Sequence, residues 1–426
     1  MAGFFRPYST KMILLKNILH GNSRTDILIE SGRIKTIGPV REAAPGTETV
    51  DCTRKAVIPG FVNMHTHAAM IMLRGIHEDL TLYDWLNNIW KIEAGLDGDF
   101  IYWSTRVACL EMIRSGTTAF NDQYWFCPHA RQAALDMGLY PVFSFIFLDS
   151  HNPDMARRQR EACQRLYERT LEWGEESQFA ISIHSVYTVS RENILWANQF
   201  ALDHGLKVHL HLSETRKENE DCIRSHGGLS PTEYFEDLGI WGPHVIAAHC
   251  LHLSDRDVRI LGQRRVNCVH NIHSNLKLAS GHRFRYDELR DAGANVCLGT
   301  DGAASANDMD MLAHMKTAAI MQKAWRENPE AMPLNQLMDC ATVNGARALG
   351  IDTGVIREGA WADLSLIDLD DSGFLSPGSV AANLVYAAGS RAIDSVMCRG
   401  RWVMKGRIIP TEAETLEGAR KLAFRP

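Results

Sequence analysis

The ten cysteines of this 426-residue chain (Cys52, Cys109, Cys127, Cys163, Cys222, Cys250, Cys268, Cys297, Cys340 and Cys398) stand singly, with no CxxC pair. That spacing excludes a small secreted disulfide framework and leaves reduced, mostly buried thiols, as in a cytoplasmic protein. Basic charge is not in excess. With 45 Lys and Arg against 51 Asp and Glu, the formal net charge of −6 gives no stripe for a phosphate backbone, and nucleic acid is not expected as a partner. No run approaches the roughly 18 apolar residues of a membrane span, and MAGFFRPYSTKM lacks the apolar core of a signal peptide. The fold is expected to begin near Met12, with the leader before it carrying no structure of its own.

What is present is an ordinary globular composition, 45% hydrophobic and 23% charged, long enough for one large domain and a smaller one. Eight β-rich runs alternate with helical stretches: AVIPGFVNMH, TTAFND, YPVFSFIFLD, FAISIH, KVHLHLSE, VIAAHC, VNCVHN and NVCLGTD. Most are apolar and β-branched throughout, as in strands buried on both faces of a parallel sheet. The count and length predict a (β/α)8 barrel over 59–353. Short alternating strands at 12–58 and 354–410 predict a small β-sandwich built from both flanks of the barrel, and 411–426 a C-terminal helix.

Every run ends on a group able to bind metal or move protons: His65 and His67, Asp122, Asp149, His184, His211 and Glu214, His249, His270, Asp301. Barrel enzymes build their sites at that end. His65 and His67, two apart on a strand, share a face and can reach one ion together. With His211 and Asp301 they make three imidazoles and a carboxylate, a set that suits Zn2+ or a similar first-row ion and leaves a position for water. His209 shares the face of His211, and the residue nearer the strand's C-terminal end is expected to ligate. One ion is expected, because YPVFSFIFLD and FAISIH hold no Lys or Glu to bridge two and Lys207 lies at the wrong end of its strand; Asp149 is the one candidate against that.

PGFVNMHTHAAM, HLHLSE, AAHCLHLS, HNIHSNLKLASG and LGTDGAAS closely resemble the amidohydrolase superfamily, in the branch of methylthioadenosine and S-adenosylhomocysteine deaminases, guanine deaminase and triazine chlorohydrolases. The resemblance implies that His65, His67, His211 and Asp301 hold one divalent ion, Zn2+ first and Fe2+ second, that Glu214 shuttles protons, and that His249 holds the attacking water. Asp301 would take that water's proton. It further implies that Trp85 packs on the substrate, Glu93 meets ribose hydroxyls, and His184 and His211 contact it near the sugar and the metal. The expected reaction is removal of ammonia from the adenine ring of adenosine or a 5′-modified adenosine (methylthioadenosine, 5′-deoxyadenosine or S-adenosylhomocysteine). The alternative is a hydrolase of the same branch acting on guanine, a pterin or a chlorotriazine. A small-molecule substrate and a homo-oligomeric state are expected. Two departures stand out. From His270 the chain reads HNIHSNLKL where related chains read HNPxSNLKL, so Ile272, before His273, replaces a proline, and Phe145 stands where homocysteine-accepting members carry an arginine, a loss that Arg157 or Arg158 would have to make good.

Overall fold

The computed structural model describes residues 12–423; the leader before Met12 and the last three residues of the expected C-terminal helix lie outside the described residues. The chain begins with five short strands, β1 (Ile13–His20), β2 (Ser23–Glu30), β3 (Arg33–Ile37), β4 (Glu48–Asp51) and β5 (Lys55–Pro59). Eight more follow: β6 (Phe61–Thr66), β7 (Thr117–Asp122), β8 (Tyr140–Phe147), β9 (Gln178–Ile183), β10 (Lys207–Leu212), β11 (Val245–His249), β12 (Asn267–His270) and β13 (Asn295–Leu298). Three close the chain, β14 (Leu364–Asp368), β15 (Ile393–Cys398) and β16 (Arg401–Met404).

Strands β6 to β13 pair in sequence order, all parallel, and nearly every residue in them is buried, as apolar runs between an inner core and an outer ring of helices must be. The barrel closes where β13 returns to β6. Asp301 N donates to His65 O at 2.9 Å, Thr300 N to Asn63 Oδ1 at 3.0 Å, and Asn63 Nδ2 to Thr300 Oγ1 at 2.7 Å. Gly299 makes this closure possible, since a Cβ there would stand 2.7 Å from Asn271 Oδ1 and 2.8 Å from His65 N.

The remaining strands form a second sheet in the order β16-β15-β14-β5-β1-β2-β3, with β4 paired to β1. It curls over its own core of Ile13, Leu15, Ile27, Ile34, Leu364 and Leu366. Its far edge is drawn round by hydrogen bonds from Ile34 N to Ala360 O and from Ala362 N to Gly32 O, at 2.9 and 2.8 Å.

One expected strand is two. AVIPGFVNMH reads as a single barrel strand, but its first half is β5 of the small sheet and its second half is β6 of the barrel. The chain changes sheets at Gly60, where any Cβ would collide with the Thr118 side chain. The C-terminal helix, Glu412–Ala423, is fixed to the helix Gly98–Arg114 by Arg106, which donates to Thr415 Oγ1 at 3.0 Å and pairs with Glu414 at 2.9 Å.

Candidate metal centre and active site

His65 lies on β6 with His67 just past its end, His184 follows β9, His211 lies on β10 with Glu214 just beyond it, His249 ends β11, and Asp301 lies three residues past β13. All face the C-terminal mouth of the barrel. His65 Nε2 lies 3.4 Å and His67 Nε2 3.3 Å from Asp301 Oδ1, and His211 Nε2 lies 3.4 Å from His67 Nε2. Donors about 2.0–2.1 Å from a tetrahedral ion stand about 3.4 Å from one another. His65 Nε2, fully buried, has no hydrogen-bond partner, as expected of a nitrogen whose partner is a cation. These four residues could therefore hold one divalent ion.

Hydrogen bonds separate two kinds of histidine here. His67 Nδ1 donates to Gln123 O at 2.6 Å and His211 Nδ1 to His184 O at 2.7 Å. Each ring therefore presents the lone pair of Nε2, the form a metal ligand needs. His249 is arranged the other way. Its Nδ1 accepts from Asn275 Nδ2 at 2.8 Å, so its proton sits on Nε2, which faces Glu214 Oε2 at 3.7 Å and Asp301 Oδ2 at 4.0 Å. This ring can donate to an oxygen in the cavity.

His209 lies one layer below His211, its Nε2 2.8 Å from His65 Nδ1, and supports the centre from inside the barrel. His249 and Asp301 have φ of 74° and 64°, and Ser213, before Glu214, has 48°. Left-handed backbone at a non-glycine residue costs roughly 1–2 kcal/mol. It turns the chain sharply at three strand ends and aims their side chains into one space.

The electrostatics divide along the same lines. Burial holds His249 and His184 down at about 3, so both are neutral at working pH. Burial pushes Asp301 up, but His65, His67 and His249 outweigh it and keep the carboxyl well below its usual range, ionised. Glu214 is driven well above the carboxylate range by burial and by the charges of Asp301 and Glu218. It can carry a proton at neutral pH.

The helix Leu82–Glu93, capped by the Thr81 side chain, brings Trp85 and Glu93 to the same cavity, where His184, Trp90 and Tyr124 join them. Tyr124 donates to Glu93 Oε1 at 2.6 Å, and His184 Nδ1 is held by Thr188 Oγ1 at 2.8 Å.

Three strand-end residues do not converge. Asp122 accepts from Thr66 Oγ1 and Ala68 N, and His270 stacks on Phe284. Asp149 accepts from Ser190 N, Ser190 Oγ, His151 N and Asn193 Nδ2. It is a loop anchor with no free lone pair for a second ion.

Glu218 was not visible from the sequence. It lies on the helix Arg216–Ser225, and its two oxygens accept from Ser213 N at 2.9 Å and Glu214 N at 2.8 Å, clamping the peptide that carries Glu214. The signal was a second glutamate one helical turn after the first. Burial raises its carboxyl from 4.5 to about 7, against the pull of those backbone bonds. A raised folded value stabilises the protein below the unfolded pKa, and that contribution disappears as pH rises through about 7, by about 3 kcal/mol. Between about pH 5 and about pH 8 the denaturant midpoint of the wild type should therefore fall further than that of Glu218→Gln; equal slopes would show that Glu218 titrates normally.

A buried three-histidine, one-aspartate centre at the mouth of a parallel barrel, with a curled sheet contributed by both flanks, defines a class of metal-dependent hydrolases. The sequence pattern of the Amidohydrolase family matches residues 56–403, and the chain belongs to that family. It is 40% identical over 424 residues, 98% of this chain and 96% of the relative, to a 5′-deoxyadenosine deaminase of Methanoregula boonei. It is 39% identical over 411 residues, 96% and 95% of the two chains, to a 5-methylthioadenosine/S-adenosylhomocysteine deaminase of Archaeoglobus fulgidus. Among solved structures, an adenosine deaminase from Xanthomonas campestris with bound zinc superposes with a TM-score of 0.89 at 29% identity, covering 96% of this chain and 97% of that one.

Proposed function

We propose that this chain is a metal-dependent aminohydrolase that converts an adenine nucleoside with a small neutral 5′ group to its inosine counterpart, with release of ammonia. The observation that carries the reading is the placement of two carboxyls, Glu214 and Asp301, on either side of the His249 N–H, where burial pushes Glu214 up and the surrounding histidines hold Asp301 down. The deaminase relatives support it. His65, His67, His211 and Asp301 hold the ion, Zn2+ first and Fe2+ second. When bound, it supplies a water acidified to about neutral pH.

Asp301 accepts the water's proton at Oδ2, and the His249 Nε2 proton holds the attacking oxygen. As the new C–O bond forms at the amino-bearing carbon, an electron pair moves to the adjacent ring nitrogen. The Glu214 carboxyl protonates that nitrogen. Asp301 then passes the water's proton to the amino group, the C–N bond breaks with its electron pair leaving on nitrogen, the new hydroxyl gives its proton to the Glu214 carboxylate as the C=O bond forms, and ammonia departs. In this reading Trp85 packs on the base, Glu93 receives the ribose hydroxyls, and His184 and His211 border the sugar and the metal. Ten buried, unpaired cysteines fit a reducing compartment such as the cytoplasm. No helix among the described residues is long and apolar enough to cross a membrane.

The wall beyond the sugar explains the preference for a neutral 5′ group. The β8 side chains that reach the cavity are Ile146 and, just past the strand, Leu148. Phe145 packs instead on Phe147, with ring centroids 5.1 Å apart. Arg157 and Arg158 are exposed on the helix Pro153–Thr170, and Arg157 pairs with Asp154. Among the described residues no Lys or Arg lines the cavity. A charged tail would forgo about 1.5–3 kcal/mol of charge-assisted hydrogen bonding, roughly one to two decades in kcat/KM. Ultraviolet assays of the metal-loaded enzyme should rank methylthioadenosine, 5′-deoxyadenosine and adenosine above S-adenosylhomocysteine by that margin. A clear preference for the last would overturn the assignment of the wall, and failure of all four to release ammonia would overturn the function.

A further inference from the structure

Behind the reaction centre, three chemistry-bearing side chains meet from three separate segments. His273 lies on the short helix Ile272–Lys277, Asp308 just past the helical turn Ala303–Ala306 that follows Asp301, and His314 on the helix Met311–Arg326. His273 Nδ1 stands 3.2 Å from Asp308 Oδ2, and His314 Nε2 stands 3.3 Å from Asp308 Oδ1. One donor atom from each lies within 4.8 Å of the others. None of the three lines the cavity.

Two features mark this cluster as more than an ion pair. Thr317 Oγ1 donates its proton to Ala313 O at 3.0 Å, so the hydroxyl oxygen can only accept from His273 Nε2, which lies 2.8 Å away. The His273 proton is thereby fixed on Nε2, and the lone pair of Nδ1 is turned toward a carboxylate oxygen. Two acceptors face each other. The second feature is His314, which is wholly buried, with Asp308 Oδ1 3.3 Å from its Nε2 and no hydrogen bond at Nδ1. A buried imidazole so poorly partnered is costly. A cation between the three groups separates the facing acceptors and gives His314 a ligand bond.

We propose that His273, Asp308 and His314 form a second divalent-cation site, distinct from the one at the barrel mouth. Two imidazoles and one carboxylate select a first-row ion such as Zn2+ over Mg2+ or Ca2+. The 3.2 and 3.3 Å separations, one to each carboxylate oxygen of Asp308, and the 4.8 Å within which one donor from each residue lies leave room for an ion between the three groups. The Thr317 oxygen orients His273 as outer hydrogen bonds orient metal-ligating histidines elsewhere. His273 and Asp308 are partly open to solvent, which gives the ion a route in and leaves room for water to complete its coordination. The site would tie the segment carrying Asn275, the partner of His249, to the loop leading out of Asp301. Its role is structural support of the reaction centre, without contact with substrate.

Protein already holding its barrel-mouth ion should take up a second equivalent when titrated with Zn2+, read by calorimetry and by elemental analysis after ultrafiltration, and its thermal midpoint should rise. His273→Ala and Asp308→Asn should weaken that uptake at least tenfold and abolish the rise, and His65→Ala should spare the second equivalent. His314→Ala opens a fully buried position, so the half-buried His273 is the deciding variant. Absence of a second equivalent at millimolar Zn2+ would overturn the proposal: His273 would then be a protonated partner of Asp308. Uptake undiminished in His273→Ala would overturn it equally.

Discussion

Glu214→Gln should keep its metal and lose about two to four orders of magnitude in kcat, with KM little changed. The substitution preserves shape and leaves His65, His67, His211 and Asp301 untouched. What disappears is a transferable proton at a carboxyl that burial, Asp301 and Glu218 keep loaded. An amide can still donate a hydrogen bond to the ring nitrogen, but it cannot pass on a proton as charge develops there. The loss therefore falls in the transition state and not in binding. Metal analysis and steady-state kinetics on one preparation check both halves, and activity within about tenfold of wild type would make Glu214 a bystander.

Larger still is the effect expected of His65→Ala or Asp301→Ala, which should remove metal and activity together. His65 Nε2 has no other partner, and Asp301 Oδ1 lies within 3.4 Å of both His65 Nε2 and His67 Nε2, so either change leaves an incomplete set of donors. Aspartate removal also takes away the acceptor for the water's proton. Elemental analysis after dialysis should show one tightly held equivalent in the wild type and none at this centre in either variant. A second equivalent lost along with the first in His65→Ala would make the centre binuclear. Retention of metal and turnover would remove both residues from the ligand set.

The barrel was legible because its strands are buried on both faces and so stand out as apolar runs. The same uniformity concealed the change of sheet at Gly60, since β5 and β6 are alike in composition and only the approach of Thr118 requires glycine there. At the site, residues close in sequence to a strand end could be placed. Their direction could not: Asp149, two residues past β8, turns to anchor a loop, and His270 lies flat on Phe284 although it ends a strand as His249 does. The division of labour among the histidines depends on partners such as the Gln123 carbonyl and Asn275, which sequence spacing does not encode. Trp90 and Tyr124 reach the centre through helix packing and turn geometry, and no motif signals them. Phe145 does not reach the cavity, which Ile146 and Leu148 line instead, because one position along a strand reverses the face a side chain occupies.

The antiparallel pairing of β5 with β14, from Pro59 against Leu364 to Lys55 against Asp368, also bears on how the chain is made. On a ribosome adding ~5–20 residues per second, the edge of β5 waits roughly 15–60 s for its partner. Throughout that time the β1 to β5 segment presents an open row of N–H and C=O groups, and the barrel grows from its end. An unpaired edge is a template for pairing with other nascent chains. The yield of soluble protein should therefore depend on synthesis rate and on chaperones that shield β-edges, more than on the stability of the finished barrel.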